Sequence, residues 1–330
     1  MRLFMKYGFM IAVLGLFFVS CDDNEEIIPT DPDAEYDAVL ELTEGGGDEN
    51  AEVTVDANTQ GNINALVSFT STDEPMRRLY ITQNVGGQGA EPFELTANID
   101  KKADGSIDVG TENNNAIEYE LTLPVPSGVD GTVVYTLWTT SGRGDYRDSE
   151  QRLAVGVGTI TINYGGSNTS AEVKAYTAKL LAAPLADGSS ETFISLLDGQ
   201  VYTIDQGEEF VDFWDFGYYY GASNNASLAS TSDYPSAIIN IPEIANTSDP
   251  LNNTFFAISS KTSADFDAVT ISGDLDFIAQ PANETVTGLE ADQIIEFVDD
   301  YGKKGLIRVV QVVGTDGADD YIEIDIKVQP

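Results

Sequence analysis

The sequence predicts an all-β protein with two antiparallel β-sandwich-like domains, the first Ig-like and the second carrying one or two short helices. Val, Ile, Thr, Tyr and Phe recur in short runs between Gly, Asn, Asp and Ser, which is typical of strands joined by turns. The length of 330 residues exceeds one ordinary domain and favours two. Residues 165–170, Gly-Gly-Ser-Asn-Thr-Ser, are small and polar, which is typical of a linker.

The first domain is predicted over residues 36–164. Apolar and polar residues alternate in several stretches, which indicates strands with one buried face. The apolar positions are Val53 and Val55; Ile63, Ala65, Val67 and Phe69; Ile117, Tyr119, Leu121 and Leu123; and Val133, Tyr135 and Leu137. About seven strands in ~130 residues favour an Ig-like sandwich, although no cysteine pair distinguishes it from other sandwiches. Val155 and Val157 lie out of phase with Ile160 and Ile162, which predicts a β-bulge at Gly158.

The second domain is predicted over residues 171–330. Its last strand alternates Ile322, Ile324, Ile326 and Val328 with charged residues. The nearly continuous apolar run over residues 306–313 predicts a strand covered on both faces, and residues 314–317 predict a hairpin turn between the two. Apolar spacing predicts a helix over residues 291–299 and a shorter helix over residues 263–268.

The N-terminal segment has the pattern of an exported lipoprotein. Arg2 and Lys6 precede an apolar run over residues 9–18, which predicts a signal peptide over residues 1–20. The run ends in Phe-Val-Ser-Cys, which resembles a lipobox, so Cys21 is predicted to carry lipid and anchor the chain to a membrane. The alternative is an uncleaved anchor helix with an incidental cysteine. Because Cys21 is the only cysteine, an intramolecular disulfide is excluded.

An acidic tether is predicted over residues 21–35, between the lipid anchor and the first domain. Residues 22–26, Asp-Asp-Asn-Glu-Glu, resemble the tag that directs Bacteroidetes lipoproteins to the outer face of the outer membrane. In enterobacteria an Asp after the lipidated cysteine signals retention at the inner membrane instead. The same residues also form a solvated, self-repelling spacer, which is compatible with either address.

Part of the second domain resembles uncharacterised Bacteroidetes surface lipoproteins. The resemblance rests on Gly-Gln-Val-Tyr at residues 199–202, Asp-Phe-Gly-Tyr-Tyr-Tyr-Gly at 215–221 and Gly-Lys-Lys-Gly-Leu-Ile at 302–307. It covers most of the second domain and the signal region, and it contains no catalytic motif. It therefore implies a lipid-anchored, surface-facing location on the outer membrane and a fold, rather than an activity.

Charge and composition narrow the classes of function. The formal net charge is −39, which repels nucleic acid phosphate and anionic lipid headgroups, so nucleic acid is excluded as a partner. The sequence contains no histidine, which excludes Ser-His-Asp and Cys-His catalysis and histidine-ligated metal sites. Carboxylate pairs remain available, so a carboxylate-based glycosidase is not excluded.

The aromatic run over residues 210–220 is the candidate site for a glycan. Sugar rings stack on exposed aromatic faces while carboxylates accept hydrogen bonds from their hydroxyl groups. The candidate binding residues are Asp212, Trp214, Asp215, Tyr218 and Tyr220. The alternative is a strand buried between two sheets, which is the commoner fate of such a run.

Two acidic loops offer oxygen ligands for calcium. One contains Asp316, Asp319 and Asp320, and the other contains Asp100, Asp104 and Asp108. Neither matches the spacing of an EF-hand, and solvated loops are the alternative in so acidic a chain.

Residues 143–145 spell Arg-Gly-Asp within Gly-Arg-Gly-Asp. The tripeptide is an integrin-binding motif, but the four residues are also a simple turn, and we favour the turn.

We expect a non-enzymatic, surface-exposed lipoprotein that binds or presents a polysaccharide or an envelope protein and needs no cofactor, with calcium as an option. A structural or assembly component of the cell envelope is the alternative. A carboxylate-based glycosidase is the third and least favoured hypothesis. An exposed aromatic cluster would favour glycan binding, and two acids converging in a cleft would favour the enzyme.

Overall fold

The computed structural model describes residues 36–42, 52–56, 62–71, 74–96, 99–110, 115–126, 129, 131–153, 157–165 and 171–330. The predicted signal peptide, Cys21, the tether and residues 166–170 of the linker lie outside these ranges. The described part is all-β, with two antiparallel sandwiches and a few short helices.

The first sandwich is formed by nine strands of the described residues. They are β1 (Tyr36–Leu42), β2 (Glu52–Asp56), β3 (Asn62–Ser71), β4 (Arg78–Val85), β5 (Ala90–Pro92), β6 (Ile107–Asp108), β7 (Ala116–Pro124), β8 (Thr132–Thr140) and β9 (Gly158–Asn163). One sheet has the order β1-β3-β7, and the other has the order β2-β9-β8-β4-β5, with β6 beside β4. The pair β2–β9 is parallel and the other pairs are antiparallel.

A single apolar core lies between these two sheets. Ile63, Val67 and Leu121 face it from one sheet, and Leu137 and Ile160 face it from the other. The alternation along β3, β7 and β8 therefore buries one face of each strand, as predicted. This two-sheet arrangement is Ig-like. Ile160 and Ile162 are buried in β9, which begins at Gly158, while Val155 lies outside the described residues.

The second sandwich is formed by ten strands within residues 171–330. They are β10 (Lys174–Ala182), β11 (Phe193–Ile194), β12 (Val201–Tyr202), β13 (Phe216–Gly221), β14 (Asn225–Ser230), β15 (Thr254–Ile258), β16 (Thr285–Thr287), β17 (Ile294–Asp299), β18 (Lys304–Val313) and β19 (Tyr321–Val328). Two antiparallel five-stranded sheets, ordered β10-β19-β18-β17-β15 and β12-β11-β13-β14-β16, enclose a second core.

Two short α-helices accompany this sandwich, α1 (Ile241–Ala245) and α2 (Ser263–Ala268). The prediction for residues 263–268 is confirmed. The helix begins after Thr262, whose hydroxyl accepts from the backbone N–H of Asp265 while the Asp265 carboxylate accepts from the N–H of Thr262. This capping box satisfies donors that the helix itself leaves unpaired.

The helix predicted over residues 291–299 is wrong, because Ile294–Asp299 is the strand β17. Both faces of β17 are buried. Ile295 and Phe297 point into the core between the sheets, whereas Ile294 and Val298 pack toward α2. A strand covered on both faces has a continuous apolar run instead of alternation, so its spacing was mistaken for that of a helix.

The closing hairpin is confirmed, since β18 and β19 pair antiparallel on either side of residues 314–320. Leu306 and Ile307 are both buried, so the first half of β18 is covered on both faces. Val310 is exposed, and the coverage predicted for the second half is therefore wrong. The register of β18 against β19 shifts after Val309, which is where the strand leaves the core.

Candidate functional site

The aromatic run over residues 210–220 is not one strand. Residues Glu208–Phe213 form a 3-10 helix after Gly207, and β13 begins only at Phe216. Phe216 and Tyr218 then face the core of the second sandwich, while Trp214 joins a different cluster. Aromatic side chains thus alternate between two faces within β13, and this alternation does not extend back to Trp214.

The proposed exposed glycan platform is wrong. Trp214, Asp215 and Tyr218 each have 0% of their surface exposed, so neither ring can stack on a sugar. Tyr220 and Asp212 are half-buried. Burial of large aromatic rings is favourable because it removes apolar surface from water. Tyr218 is buried in the core of the second sandwich, and Trp214 is buried between the two sandwiches.

The cluster that contains Trp214 is shared by both sandwiches. Tyr80, Trp138 and Tyr146 come from the first sandwich, and Phe213 and Trp214 come from the second. The ring centroids of Tyr146 and Phe213 lie 6.0 Å apart, and those of Tyr80 and Tyr146 lie 4.8 Å apart. Part of the aromatic run, including Phe213 and Trp214, therefore lies in the core of a junction between the sandwiches.

Three arginines of the first sandwich pair with carboxylates of the second across this junction. Arg78 Nη1 and Nη2 donate to the two Glu209 oxygens at 2.7 and 3.2 Å. Arg147 Nη1 donates to both Asp215 oxygens at 3.0 and 2.9 Å. The third pair joins Arg143 to Asp212 at 2.7 Å. A buried carboxylate is costly without such a partner, so the arginines make its burial tolerable.

The Arg-Gly-Asp loop is part of the same junction. Arg143 also contacts Asp249 and donates to the carbonyl oxygen of Glu208 at 2.8 Å. Asp145 accepts from the hydroxyl of Tyr301, whose ring lies 4.3 Å from the Arg147 guanidinium. Arg143 and Asp145 are both buried, so the tripeptide is not presented to solvent. The two motifs singled out in the sequence, the aromatic run and Arg-Gly-Asp, pack against each other.

Burial perturbs several carboxyl groups at the junction. It raises the pKa of Asp212 to about 7, against the opposing charge of Arg143. It also raises the pKa of Asp299 to about 7, with the charge of Asp215 adding to the effect. The pKa of Asp215 is raised by burial as well, and Arg147 is the main group that opposes this shift. Desolvation disfavours the charged form in each case.

A cavity of about 370 Å³ opens at one side of the junction, and we call it the junction cavity. Tyr146, Arg147 and Arg152 line it from the first sandwich, and Lys174, Asp299 and Lys303 line it from the second. Its size is within the range of small-ligand pockets. It is the candidate functional site.

A second cavity of about 330 Å³ is also lined by Tyr301 and is acidic. Asp145, Asp148, Asp212 and Asp300 contribute to its lining. Of these, Asp212 is tied to Arg143 and Asp145 accepts from Tyr301. This cavity is where a pair of catalytic carboxylates would have to be sought.

The loop with Asp316, Asp319 and Asp320 is organised by hydrogen bonds of its own. Asp320 Oδ2 accepts from the backbone N–H groups of Thr315 at 2.6 Å and Gly317 at 2.7 Å. These bonds use the carboxylate that a calcium ion would need. Within the described ranges, no group of three or more Asp, Glu, Cys or His side chains is arranged to hold a metal ion.

Carboxylates of the other predicted calcium loop are also engaged by protein groups. Asp104 is buried beside Arg78 and accepts from Ser106, whose hydroxyl lies 2.6 Å away. Asp108 pairs with Lys102 at 3.2 Å. Asp104 and Asp108 therefore act within the first sandwich as partners of cationic and hydroxyl groups.

Comparison with known proteins adds little. No protein-family model matches the chain, and no curated protein matches it. It is similar to a solved structure described as "Crystal structure of Apo-form Calx CBD1 domain", at 11% identity, covering 39% of this chain and 98% of that chain, with a TM-score of 0.18. That likeness is too weak to bear on fold or function. Over the ranges described, no helix is long and apolar enough to cross a membrane.

Sequence reasoning missed the arginines and Tyr301 as parts of the site. A signal was present in the sequence, since Arg143, Arg147 and Arg152 fall within ten residues of a chain that has only 16 basic residues against 55 acidic ones. A local concentration of the rare charge indicates a role for these side chains. It did not indicate which acids they meet, because those acids lie more than 60 residues away.

Proposed function

We propose that this chain is a surface lipoprotein, anchored through lipid on Cys21, that binds a glycan without catalysis in the junction cavity. The lipobox and acidic tether support the address on the outer face of the outer membrane. Because Trp214 is buried, we assign the proposed binding site to the junction cavity instead of the aromatic run.

The observation that carries this proposal is that two docked sandwiches jointly form the cavity walls. The arginine–carboxylate pairs and the shared aromatic cluster fix those walls before a ligand arrives. A preformed site avoids the cost of ordering side chains and loops on binding. This favours a binding role for the junction over a purely structural one.

The non-enzymatic part of the proposal rests on the chemistry available. The sequence has no histidine, and the junction carboxylates Glu209, Asp212 and Asp215 are each held by an arginine. A general acid must be free to give up its proton to the substrate. Asp212 is the residue that keeps the glycosidase alternative in consideration, because its pKa is about 7 and it lines the acidic cavity.

The proposed location, lipid-anchored on the outer face of the outer membrane, is tested by expressing the whole chain in a Bacteroidetes host. We expect incorporation of radiolabelled palmitate and digestion by protease added to intact cells. Cys21→Ala should abolish both the label and membrane attachment. Labelled chain that resists added protease would place the protein on the inner face of the membrane.

Binding is tested with the whole chain in detergent against a polysaccharide panel by affinity electrophoresis. Ala90→Trp adds an indole at the exposed edge of the junction cavity, and Ala116→Trp adds the same group on β7, away from it. We expect retardation by one glycan class that is lost only in Ala90→Trp. Retardation that persists in Ala90→Trp would contradict the cavity as the site.

The same panel separates the alternatives. Release of reducing sugar that stops in Asp212→Asn would establish the glycosidase reading. Absence of both retardation and hydrolysis would favour the structural or assembly role in the envelope.

A further inference from the structure

We infer that the junction cavity recognises a carboxylate, and that its ligand is a uronic-acid-containing saccharide held by Arg152. This inference deepens the proposed function and rests on it. It concerns which glycan binds, whereas the proposed function concerns where a glycan binds.

The cavity is basic in a very acidic protein. The chain has 16 basic residues and 55 acidic ones. Around the cavity, the described lining has four basic side chains, Arg147, Arg152, Lys174 and Lys303, and one acidic side chain, Asp299. The local balance is therefore the reverse of the balance of the whole chain. A cleft lined by one sign of charge attracts ligands of the opposite sign.

Three of the four cations are already paired, and the carboxylate of the cavity wall is engaged as well. Arg147 is held by Asp215, and Lys174 donates to the carbonyl oxygen of Leu197 at 2.7 Å and pairs with Glu91 at 3.5 Å. Asp299 accepts from the backbone N–H of Lys303 at 2.7 Å, so its carboxylate is engaged within its own turn. Lys303 Nζ donates to the main-chain oxygen of Pro330 at 2.5 Å. Arg152 is therefore the cation left to meet a ligand.

Arg152 has the weakest pairing of the junction arginines. Its guanidinium lies 4.0 Å from the ring of Trp138, and its Nη2 donates one long bond, 3.4 Å, to the carbonyl oxygen of Tyr146. Across the described ranges, no carboxylate lies within ion-pair distance of it. Burial lowers the pKa of Arg152, which indicates that its charge is not fully compensated by the protein. The stacked ring fixes the plane of the guanidinium.

Buried polar atoms without partners gather at this cavity. Asn84 Oδ1, Arg147 Nε and Arg152 Nε are inaccessible and make no hydrogen bond, and all three residues line the cavity. Trp138 Nε1, beneath Arg152, is also unpaired. Such atoms are rare in folded proteins and call for an explanation at each site. Their grouping here indicates that a polar ligand completes the site after small side-chain adjustments.

The unpaired polar groups of the junction cavity are chemically suited to a carboxylate on a sugar. A planar guanidinium matches a planar carboxylate with two parallel hydrogen bonds. The amide of Asn84, whose Oδ1 makes no hydrogen bond within the protein, can pair with a hydroxyl group of the sugar. A cavity of about 370 Å³ has room for one or two sugar rings.

The test compares sugars that differ only in the carboxylate, using the whole chain in detergent. Oligomers of glucuronate and galacturonate are compared with oligomers of glucose and galactose by equilibrium dialysis. We expect a uronide to bind and its neutral counterpart to bind at least about tenfold more weakly, because hydrogen bonds to charged groups are the stronger ones.

The variants place the effect at Arg152. Arg152→Gln should weaken uronide binding about tenfold or more and leave the weak binding of neutral sugars unchanged. Arg152→Lys keeps the charge without the planar fork and should recover part of the affinity. Lys179→Gln makes the same change in net charge outside the cavity and should have no effect. Lys303→Gln removes an exposed cation of the cavity wall that already donates to Pro330, and it should weaken uronide binding less than Arg152→Gln does.

The outcomes separate this inference from the proposed function. Equal binding of uronide and neutral sugar, still lost in Ala90→Trp, would overturn the carboxylate assignment and leave the binding site in place. Inorganic phosphate that binds as tightly as the uronides, and is lost in Arg152→Gln, would assign the site to another oxyanion and overturn the uronate. Absence of uronide binding by the unsubstituted chain would also overturn it.

Discussion

Burial and nearby charges together determine the pKa of individual carboxyl groups at the junction. Asp215 is buried and ionisable, yet Arg147 is placed to keep it charged. Asp299 is also buried, but its close partners are the backbone N–H groups of Tyr301 and Lys303 rather than a cation. Its pKa is accordingly about 7, well above the ordinary 3.8.

The raised pKa of Asp299 leads us to predict that the free energy of unfolding depends on pH. Because its pKa is higher in the folded chain than in the unfolded chain, the folded chain holds an extra proton between about pH 4 and 7. The favourable contribution is complete below pH 4 and is lost as pH rises to 7. In Asp299→Asn, the amide oxygen can still accept both N–H bonds, and there is no charge to bury.

We expect Asp299→Asn to raise the free energy of unfolding above pH 7 by about 1 to 4 kcal/mol, given about 1.4 kcal/mol for each pKa unit. At pH 4 the variant and the unsubstituted chain should be equal. Urea unfolding at pH 4, 6 and 8 measures this. A difference that is the same at all three values would show that Asp299 is not the titrating group.

At the scale of the element, strands with one solvent-facing side were predictable, whereas strands buried on both faces were predicted in one case, β18, and mistaken for a helix in the other, β17. The alternation of β3, β7, β8 and β19 with polar residues identifies them directly. The strand β17 has apolar residues on both faces, so periodicity gave the wrong element. The prediction for the aromatic run was wrong for a different reason. The run is divided between a 3-10 helix and a strand, and its composition does not show where one ends and the other begins.

The candidate site was less predictable than the strands. The aromatic residues and Asp212 and Asp215 were identified as important, but the partners of the two carboxylates are arginines 69 and 68 residues earlier in the chain. A contact between two domains leaves no periodic signal in either one. For the same reason, exposure of the aromatic rings could not be settled from their own segment.

Gly305 in β18 gives a prediction at the scale of a strand. A Cβ at this position would overlap the ring of Phe297 and lie 2.7 Å from the carbonyl oxygen of Lys327. Only the absent side chain lets β17, β18 and β19 approach here. We expect Gly305→Ala to lower the free energy of unfolding by about 1 to 3 kcal/mol through overpacking.

Gly273→Ala is the matched control for Gly305→Ala. It lies in the second sandwich, and the nearest atom to its Cβ would be 3.9 Å away. Its unfolding free energy should stay within about 0.5 kcal/mol of the unsubstituted chain. Both are measured by urea unfolding at one pH. Equal effects of the two substitutions would mean that the close approach at Gly305 is not rigid.

At the scale of the whole molecule, the junction couples two sandwiches that each have a core of their own. The shared aromatic cluster and three ion pairs lie between them, and removal of one sandwich would expose both the rings and the charges of the other. Interfaces within a chain that are this apolar are expected to unfold together with the domains they join. The intact chain should therefore show a single thermal transition.

The pair Arg147–Asp215 is the sharpest probe of that coupling. The side chains are 11% and 0% exposed, so removal of one partner leaves the other charge buried and unpaired. Arg147→Gln should cost about 3 to 5 kcal/mol and divide the calorimetric transition into two, whereas the double variant with Asp215→Asn should lose less than the sum of the single variants. Arg308→Gln breaks a more exposed pair with Asp325 inside the second sandwich and should keep one transition. If Arg147→Gln unfolds in one transition at unchanged temperature, the ion pair does not hold the sandwiches together, and the walls of the junction cavity depend on the aromatic cluster alone.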